Sequence, residues 1–245
     1  RSGGARRLGH AVSIYDHQPE RAADILGQGF GSVVGEWDVT TLTGVDLVVA
    51  SPGVPERALP FTHANELGIP VWSEIEYAWR EIAIPCVAIT GTNGKTTVTG
   101  LVAEMLTESG LRTAALGNIG IPLSDAVGGD LEVAVIEASS FQLRFTFEFR
   151  PEVAVVTNVA PDHLDWHGSF AAYLAAKANI VASQLPEDLL IIDGDDEGAG
   201  LIAARAPGRV ATVSAIGRGS AGGVEDCRLW IGDLAIPLGD LGVSD

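Results

Sequence analysis

Short apolar runs alternate with stretches of helical periodicity along the whole chain. Runs at Ala11–Tyr15, Val45–Ala50, Cys86–Thr90, Leu131–Ile136, Val153–Thr157, Leu189–Ile192 and Val210–Val213 predict strands, with a further short one at Arg228–Ile231. Helical spacing covers Glu20–Leu26, Glu56–Leu67, a segment from Ser73 to about Ile82, Lys95–Ser109, Ser169–Ala182 and Gly198–Arg205. Gly68 and Gly110 supply helix stops, and Ser73-Glu74-Ile75-Glu76 reads as a capping box. Ser51-Pro52-Gly53 reads as a turn and Gly217–Gly223 as a loop. Runs such as Leu131–Ile136, which is apolar at every position from Val133 on, carry the mark of strands covered on both faces. The alternation predicts an α/β fold with a parallel sheet between helical layers. Ile84-Pro85 breaks the pattern, so a domain boundary is expected there, giving units 1–84 and 85–245.

Composition narrows the class. The 245 residues suit one large or two modest domains, and 47% hydrophobic content supports a packed core. The net charge of −17 leaves no basic footprint for nucleic acid or for an anionic membrane surface. No apolar run reaches the ~18 residues of a spanning helix, and the charged, glycine-rich start does not read as a signal peptide. Two cysteines cannot make a disulfide framework, and Cys86 in its apolar strand reads as a buried thiol. The five tryptophans are scattered and form no stacking platform. A cytoplasmic protein, monomeric and without nucleic-acid or membrane partners, is the expectation. Of the 15 basic residues only Lys95 and Lys177 are lysines. Where arginine serves as the ordinary surface cation, a lysine marks a position for a compact ammonium or an amine able to lose its proton. An arginine-rich coding bias is the competing explanation.

The candidate chemistry sits at strand ends. Strand Cys86–Thr90 runs into Gly91-Thr92-Asn93-Gly94-Lys95-Thr96-Thr97 and then into a helix. Glycines let backbone N–H groups turn toward phosphate oxygens, and the helix N-terminus adds its positive end. Lys95 would reach the β- and γ-phosphates and the Thr96 hydroxyl would hold Mg²⁺. The strict Walker pattern asks for glycine where Ile89 stands, so only the Gly-Lys-Thr end matches. Glu137 follows a second strand, in Glu137-Ala138-Ser139-Ser140-Phe141-Gln142. His163 follows a third, in Asn158 … Asp162-His163-Leu164-Asp165. In open parallel sheets ligands sit beyond the carboxyl ends of the strands, so neighbouring strands would bring Glu137 and His163 to the phosphates and a divalent cation. Taken singly, Glu137 could be a helix N-terminal charge, His163 a cap, and Lys177 a solubilising group on an alanine helix. The acidic run Asp193–Glu197 lacks the ligand spacing of an EF-hand and reads as a solvated turn.

Together these segments resemble the Mur ligases of bacterial peptidoglycan synthesis, over nearly the whole chain. Gly91–Thr97 is similar to that family's phosphate loop, including its departure from the Walker pattern. Glu137–Leu143 is similar to the segment of the branch that adds D-glutamate. Ser51-Pro52-Gly53, Gly117-Asn118-Ile119-Gly120, Asn158 to Asp165 and Tyr173 to Lys177 match as well. The resemblance implies a Rossmann-like, uridine-nucleotide-binding unit at 1–84 and a P-loop central ATP-binding unit at 85–245. It implies ATP and two Mg²⁺ ions, with Gly91, Thr92, Asn93, Gly94, Lys95, Thr96 and Thr97 holding the nucleotide. Thr96 and Glu137 would bind one ion, His163 and Lys177 the other, with Lys177 carbamylated. Lys95, Glu137, His163 and Lys177 become the catalytic set, and Asp16, Ser51 and Asn118 the contacts of the substrate nucleotide. The implied reaction joins D-glutamate to UDP-N-acetylmuramoyl-L-alanine through an acyl phosphate.

Against the family pattern, Ser2-Gly3-Gly4 and Arg6–His10 are all that precedes the first run, so the first strand is expected to be missing. A closing C-terminal domain is likewise expected to be missing, so the chain reads as a fragment unable to turn over alone. Another ligase of the superfamily, a folylpolyglutamate synthase and an inactive nucleotide-binding fragment remain as alternatives. A P-loop kinase or GTPase is disfavoured by the lack of an Asn-Lys-x-Asp motif.

Overall fold

The computed structural model describes residues 9–16, 18, 33–34 and 36–237. The helix expected at Glu20–Leu26 and the residues up to Leu8 lie outside that set.

The N-terminal unit holds two small parallel pairs. Strand β1 (Ile14–Tyr15) pairs with β2 (Val33–Val34), and β3 (Val48–Ala50) with β4 (Val71–Ser73). Helix α1 (Leu59–Glu66) connects β3 to β4. Leu42, Ala50, Phe61, Ala64 and Val71 form its core together with Phe145 from the following unit. Helix α2 (Glu74–Glu81) comes next, and its Ile75 and Ala78 belong to the core of the large sheet. Packing therefore reaches across the boundary expected at residue 84.

The large sheet contains nine strands: β5 (Cys86–Thr90), β6 (Thr113–Gly117), β7 (Val133–Glu137), β8 (Val153–Val156), β9 (Leu189–Asp193), β10 (Arg209–Ser214), β11 (Gly222–Glu225), β12 (Arg228–Ile231) and β13 (Leu234–Pro237). Their order is β13-β12-β11-β10-β9-β8-β5-β7-β6, parallel from β6 to β11 and antiparallel beyond. The helices are α3 (Lys95–Glu108), α4 (Ser140–Leu143), α5 (Leu164–His167), α6 (Phe170–Ala178) and α7 (Glu197–Ala203). As predicted, they cover both faces. Strand alternation assigns the faces. Cys86, Ala88, Ala134, Ile136, Ala154 and Val156 point into the core shared with α2, α6 and α7, whereas Ile89 and Val135 point toward Ala103 of α3.

Several expectations are corrected. Only half of the capping box at Ser73 forms: the Ser73 hydroxyl accepts the Glu76 N–H at 3.2 Å, but Glu76 does not return the bond. Its fully buried carboxylate instead accepts the backbone N–H groups of Phe147 (2.9 Å), Glu148 (3.1 Å) and Phe149 (3.0 Å), and the Arg80 Nε–H at 2.8 Å. A long-range demand for acceptors outweighs the local motif. The complete capping box lies at Ser139–Gln142 instead. Gly222 and Gly223, expected in a loop, begin β11, and β2, β4, β6 and β13 lay outside the predicted strands. Cys86 is buried as expected, and burial pushes its thiol up to about 12.

Glu76→Ala leaves three backbone N–H groups without their acceptor. It is expected to lower the unfolding free energy by about 3 kcal/mol in urea titration, with Glu76→Gln intermediate. An unchanged midpoint for the alanine variant would contradict this account.

Candidate functional site

The chain leaves β7 for β8 by crossing over β5, so β5 lies at the point where the strand order reverses. Ligands of open α/β sheets bind at that point, beyond the carboxyl ends of the strands. Register levels those ends. Ile89 pairs with Glu137 on one side, and Thr90 pairs with Val156 on the other.

The loop after β5 is held by β8. Asn158 accepts the Thr92 N–H through its carbonyl (2.8 Å) and the Asn93 N–H through its side chain (2.9 Å). The Thr92 hydroxyl bonds the Ala160 carbonyl at 3.1 Å and the Tyr173 hydroxyl at 3.0 Å. Glycine is required at Gly91, where a Cβ would lie 1.9 Å from Thr157 Oγ1. Gly94, with φ +81°, is the N-cap of α3 and offers no side-chain cap. The α3 N-terminus is thus left open to an anion, unlike those of α2, α4, α6 and α7, which Ser or Asp side chains close.

Both lysines of the chain converge here. Lys95 Nζ donates to the carbonyls of Gly91 and Thr92, each at 2.9 Å. Lys177 Nζ donates to the same Gly91 carbonyl at 2.7 Å and reaches Thr90 Oγ1 at 3.5 Å. Thr90 sits on the Cys86–Ala88 side of β5, the side that α6 covers, which explains how Lys177 meets it. Lys177 is 1% exposed. Burial, reinforced by repulsion from Lys95 and opposed by Asp162, pulls its ammonium down to about 7. Its Nζ also lies 4.8 Å from the Tyr173 ring centroid, one helical turn back.

Glu137 follows Val135 onto the α3 side of the sheet and meets the loop from there. Its carboxylate is 1% exposed; Oε2 accepts the Thr96 hydroxyl and Oε1 the Asn118 side-chain amide, both at 2.7 Å. The structure therefore brings Lys95, Thr96, Glu137, Asn118 and Lys177 to one end of the sheet. His163 is the N-cap of α5 with a left-handed φ of +49°. Its half-exposed ring lies 4.8 Å from Phe141 and 3.5 Å from an Asp162 carboxylate oxygen. Asp16 and Ser51 stand elsewhere, at the carboxyl ends of β1 and β3, where the Asp16 carboxylate accepts the Gln18 N–H at 2.9 Å. Among the described residues no group of three or more His, Cys, Asp or Glu side chains is placed to hold a metal ion. A cation beside Glu137 would have to complete its shell with phosphate oxygens and water, as Mg²⁺ commonly does. The acidic run after β9 is structural: Asp196 caps α7 and accepts the Val159 N–H at 3.0 Å, and Asp195 holds Ser214 and Ala215.

His167 gave no signal in the sequence. Its Nε2 shares a 3.0 Å hydrogen bond with Ser140 Oγ, and its ring stacks on Phe141 with centroids 5.7 Å apart. Burial first, then repulsion from His163 and Lys177, pulls its pKa down to about 4, against an opposing pull from Glu56.

These features define an α/β domain built around a glycine loop at a sheet switch point. Residues 89–225, more than half of the chain, match the family model of the Mur ligase middle domain, and the chain belongs to the Mur ligase family. It is 43% identical over 196 residues to the UDP-N-acetylmuramoylalanine--D-glutamate ligase of Trichlorobacter lovleyi, covering 77% of this chain and 44% of that protein. It is 49% identical over 166 residues to the enzyme of the same name from Frankia casuarinae, covering 66% and 35%. The chain thus spans less than half the length of these curated relatives. Among solved structures, the fold is shared with the UDP-N-acetylmuramate:L-alanyl-gamma-D-glutamyl-meso-diaminopimelate ligase from Neisseria meningitides. That match has a TM-score of 0.61 at 19% identity and covers 94% of this chain and 79% of the other.

The His167 environment sets a sign for pH dependence. The unfolded imidazole protonates near 6.5 and the folded one only near 4. In that window the unfolded state binds more protons, so the folded state loses stability as pH falls from 6.5 to 4. His167→Gln keeps a partner for Ser140 but removes the titration. The melting temperature of the parent relative to the variant is expected to decline across the window; a constant difference would contradict the assignment.

Proposed function

We propose that this chain is the nucleotide-handling part of an ATP-dependent amide ligase that joins D-glutamate to UDP-N-acetylmuramoyl-L-alanine. The observation that carries the reading is the convergence of two lysines, a buried carboxylate and an uncapped helix N-terminus on the Gly91–Thr97 loop. The choice of substrates rests on the two relatives above and on the likeness of Glu137–Leu143 to the D-glutamate-adding branch. The resemblance that suggests these substrates also implies an acyl phosphate: the alanyl carboxylate attacks the γ-phosphorus, the bond to the ADP oxygen breaks, and the D-glutamate amine then displaces phosphate to form the amide.

The chain's own groups fit that work. Lys95 now donates to two carbonyls of its own loop and would exchange them for β- and γ-phosphate oxygens, a charge-assisted bond in place of a neutral acceptor. The open N–H groups at the start of α3 would receive the same phosphates. Thr96 and Glu137 are hard oxygen donors and suit one Mg²⁺, whose positive charge offsets the repulsion between an anionic nucleophile and the triphosphate.

Lys177 and His163 would hold a second ion once Lys177 is carbamylated. The neutral amine of Lys177, available near neutral pH, attacks the carbon of CO₂; an N–C bond forms, an oxygen takes the displaced electron pair, and the nitrogen proton leaves to solvent. An ammonium repels a cation, whereas the carbamate oxygen is a ligand.

Two measurements test the reading. This chain is expected to bind ADP with Mg²⁺, and Lys95→Ala to lose that affinity by at least tenfold in calorimetry. In a protein containing this chain, phosphate release from ATP is expected to need both UDP-N-acetylmuramoyl-L-alanine and D-glutamate, and to stop in Glu137→Gln. Release that follows a different amino acid would reject the substrate assignment, and undiminished ADP binding by Lys95→Ala would reject the loop's role.

A further inference from the structure

Asn118 matches a position expected to touch the substrate nucleotide, and in the structure both its backbone and its side-chain N–H groups donate to Glu137. Its backbone N–H donates to the Glu137 carbonyl at 2.9 Å and its side-chain amide to Glu137 Oε1 at 2.7 Å. The preceding residue makes this approach possible. Gly117 pairs in register with Glu137 across β6 and β7, its φ is +99°, and a Cβ there would stand 2.4 Å from the Glu137 carbonyl oxygen. One residue thus holds Glu137 at both main chain and side chain.

The remaining side-chain oxygen, Oε2, takes the Thr96 hydroxyl at 2.7 Å. The plane of a buried carboxylate is therefore set by a donor on each of its oxygens, one just beyond the edge strand β6 and one on the loop helix. A carboxylate free to rotate would present its oxygens to the loop only part of the time. A donor held on one oxygen fixes the direction of the other, as partners of metal-ligating groups commonly do.

We infer that Asn118 is a positioning residue for Glu137, aligning its carboxylate for a divalent cation bound with the nucleotide phosphates, an inference that rests on the proposed function. Its role is exerted through Glu137.

The test is a titration of Mn²⁺ into this chain saturated with ADP, followed by electron paramagnetic resonance. The parent is compared with Asn118→Ala, Asn118→Leu and Glu137→Gln. Both Asn118 variants are expected to bind Mn²⁺ about tenfold more weakly, with metal-free ADP affinity unchanged. Alanine empties the site and leucine refills its volume, so agreement between them traces the loss to the missing N–H donor. Glu137→Gln is expected to lose at least as much. If Mn²⁺ affinity stays at the parental value in the Asn118 variants while Glu137→Gln loses it, the positioning role is overturned and the metal reading stands. If the Asn118 variants keep Mn²⁺ but lose UDP-N-acetylmuramoyl-L-alanine, Asn118 is a substrate contact and the inference is likewise overturned. Parental affinity in Glu137→Gln overturns the metal assignment itself, and the inference with it.

Discussion

One carbonyl oxygen, that of Gly91, accepts from both lysines of the chain. Two lysine nitrogens are held on one acceptor, one of them almost out of contact with water, so protonation of the second is opposed by the first. The loop geometry depends on this arrangement, because the carbonyl must point back into the protein for both donors to reach it, and its peptide plane sets the path toward Thr92. The reduced basicity of Lys177 follows first from burial and then from the same crowding. On the proposed function, an incoming polyanion would draw Lys95 outward and leave the Gly91 carbonyl to Lys177 alone.

The acidity of the protein takes on a second meaning in this light. Many of its carboxylates end on backbone amides where strands and helices need an acceptor. Glu76 serves residues 147 to 149, Glu74 takes the Ser124 N–H at 2.6 Å, Glu152 the Cys86 N–H at 2.7 Å, and Asp196 the Val159 N–H at 3.0 Å. Asp188 accepts two bonds from Arg150 and one from the Leu185 N–H, and the arginine bond holds its carboxyl below the usual range. These joints connect α2, the central strands and the loops that carry the site, and a backbone amide left without its acceptor inside a protein is costly. A good part of the negative charge is thus tied into the framework.

The central strands and the loop were legible because their signals are local and strong. Consecutive apolar residues, glycines at the turn and a helical stretch closed by Gly110 all point the same way in Cys86–Gly110. The approach of Glu137 to the loop was readable once three strand ends were taken as neighbours, whereas its pairing with Thr96 followed only from the family resemblance. Strand β6 escaped because Thr113-Ala114-Ala115-Leu116-Gly117 is small-residue-rich and lies at the sheet edge, where packing makes fewer demands on side chains. Strand β11 escaped because Gly222-Gly223 reads as a loop, although their lack of side chains is what lets Trp230 approach, a Cβ at Gly222 lying 2.5 Å from its carbonyl oxygen. The turning of Glu76 toward residue 147, of Asn118 toward Glu137 and of His167 toward Ser140 depends on partners 71, 19 and 27 positions away, beyond any local pattern.

Because alternate residues of a strand face opposite layers, Thr90 and Glu137 inherit different helices as companions. One half of the polar assembly is anchored beneath the sheet with α6, the other above it with α3. The pleated ribbon between them acts as a fixed spacer, like the bed of a vice whose jaws belong to separate blocks. Because Lys95 and Lys177 end on the same Gly91 oxygen, a shift of either block alters what the opposite jaw meets, so the two halves tighten or slacken together.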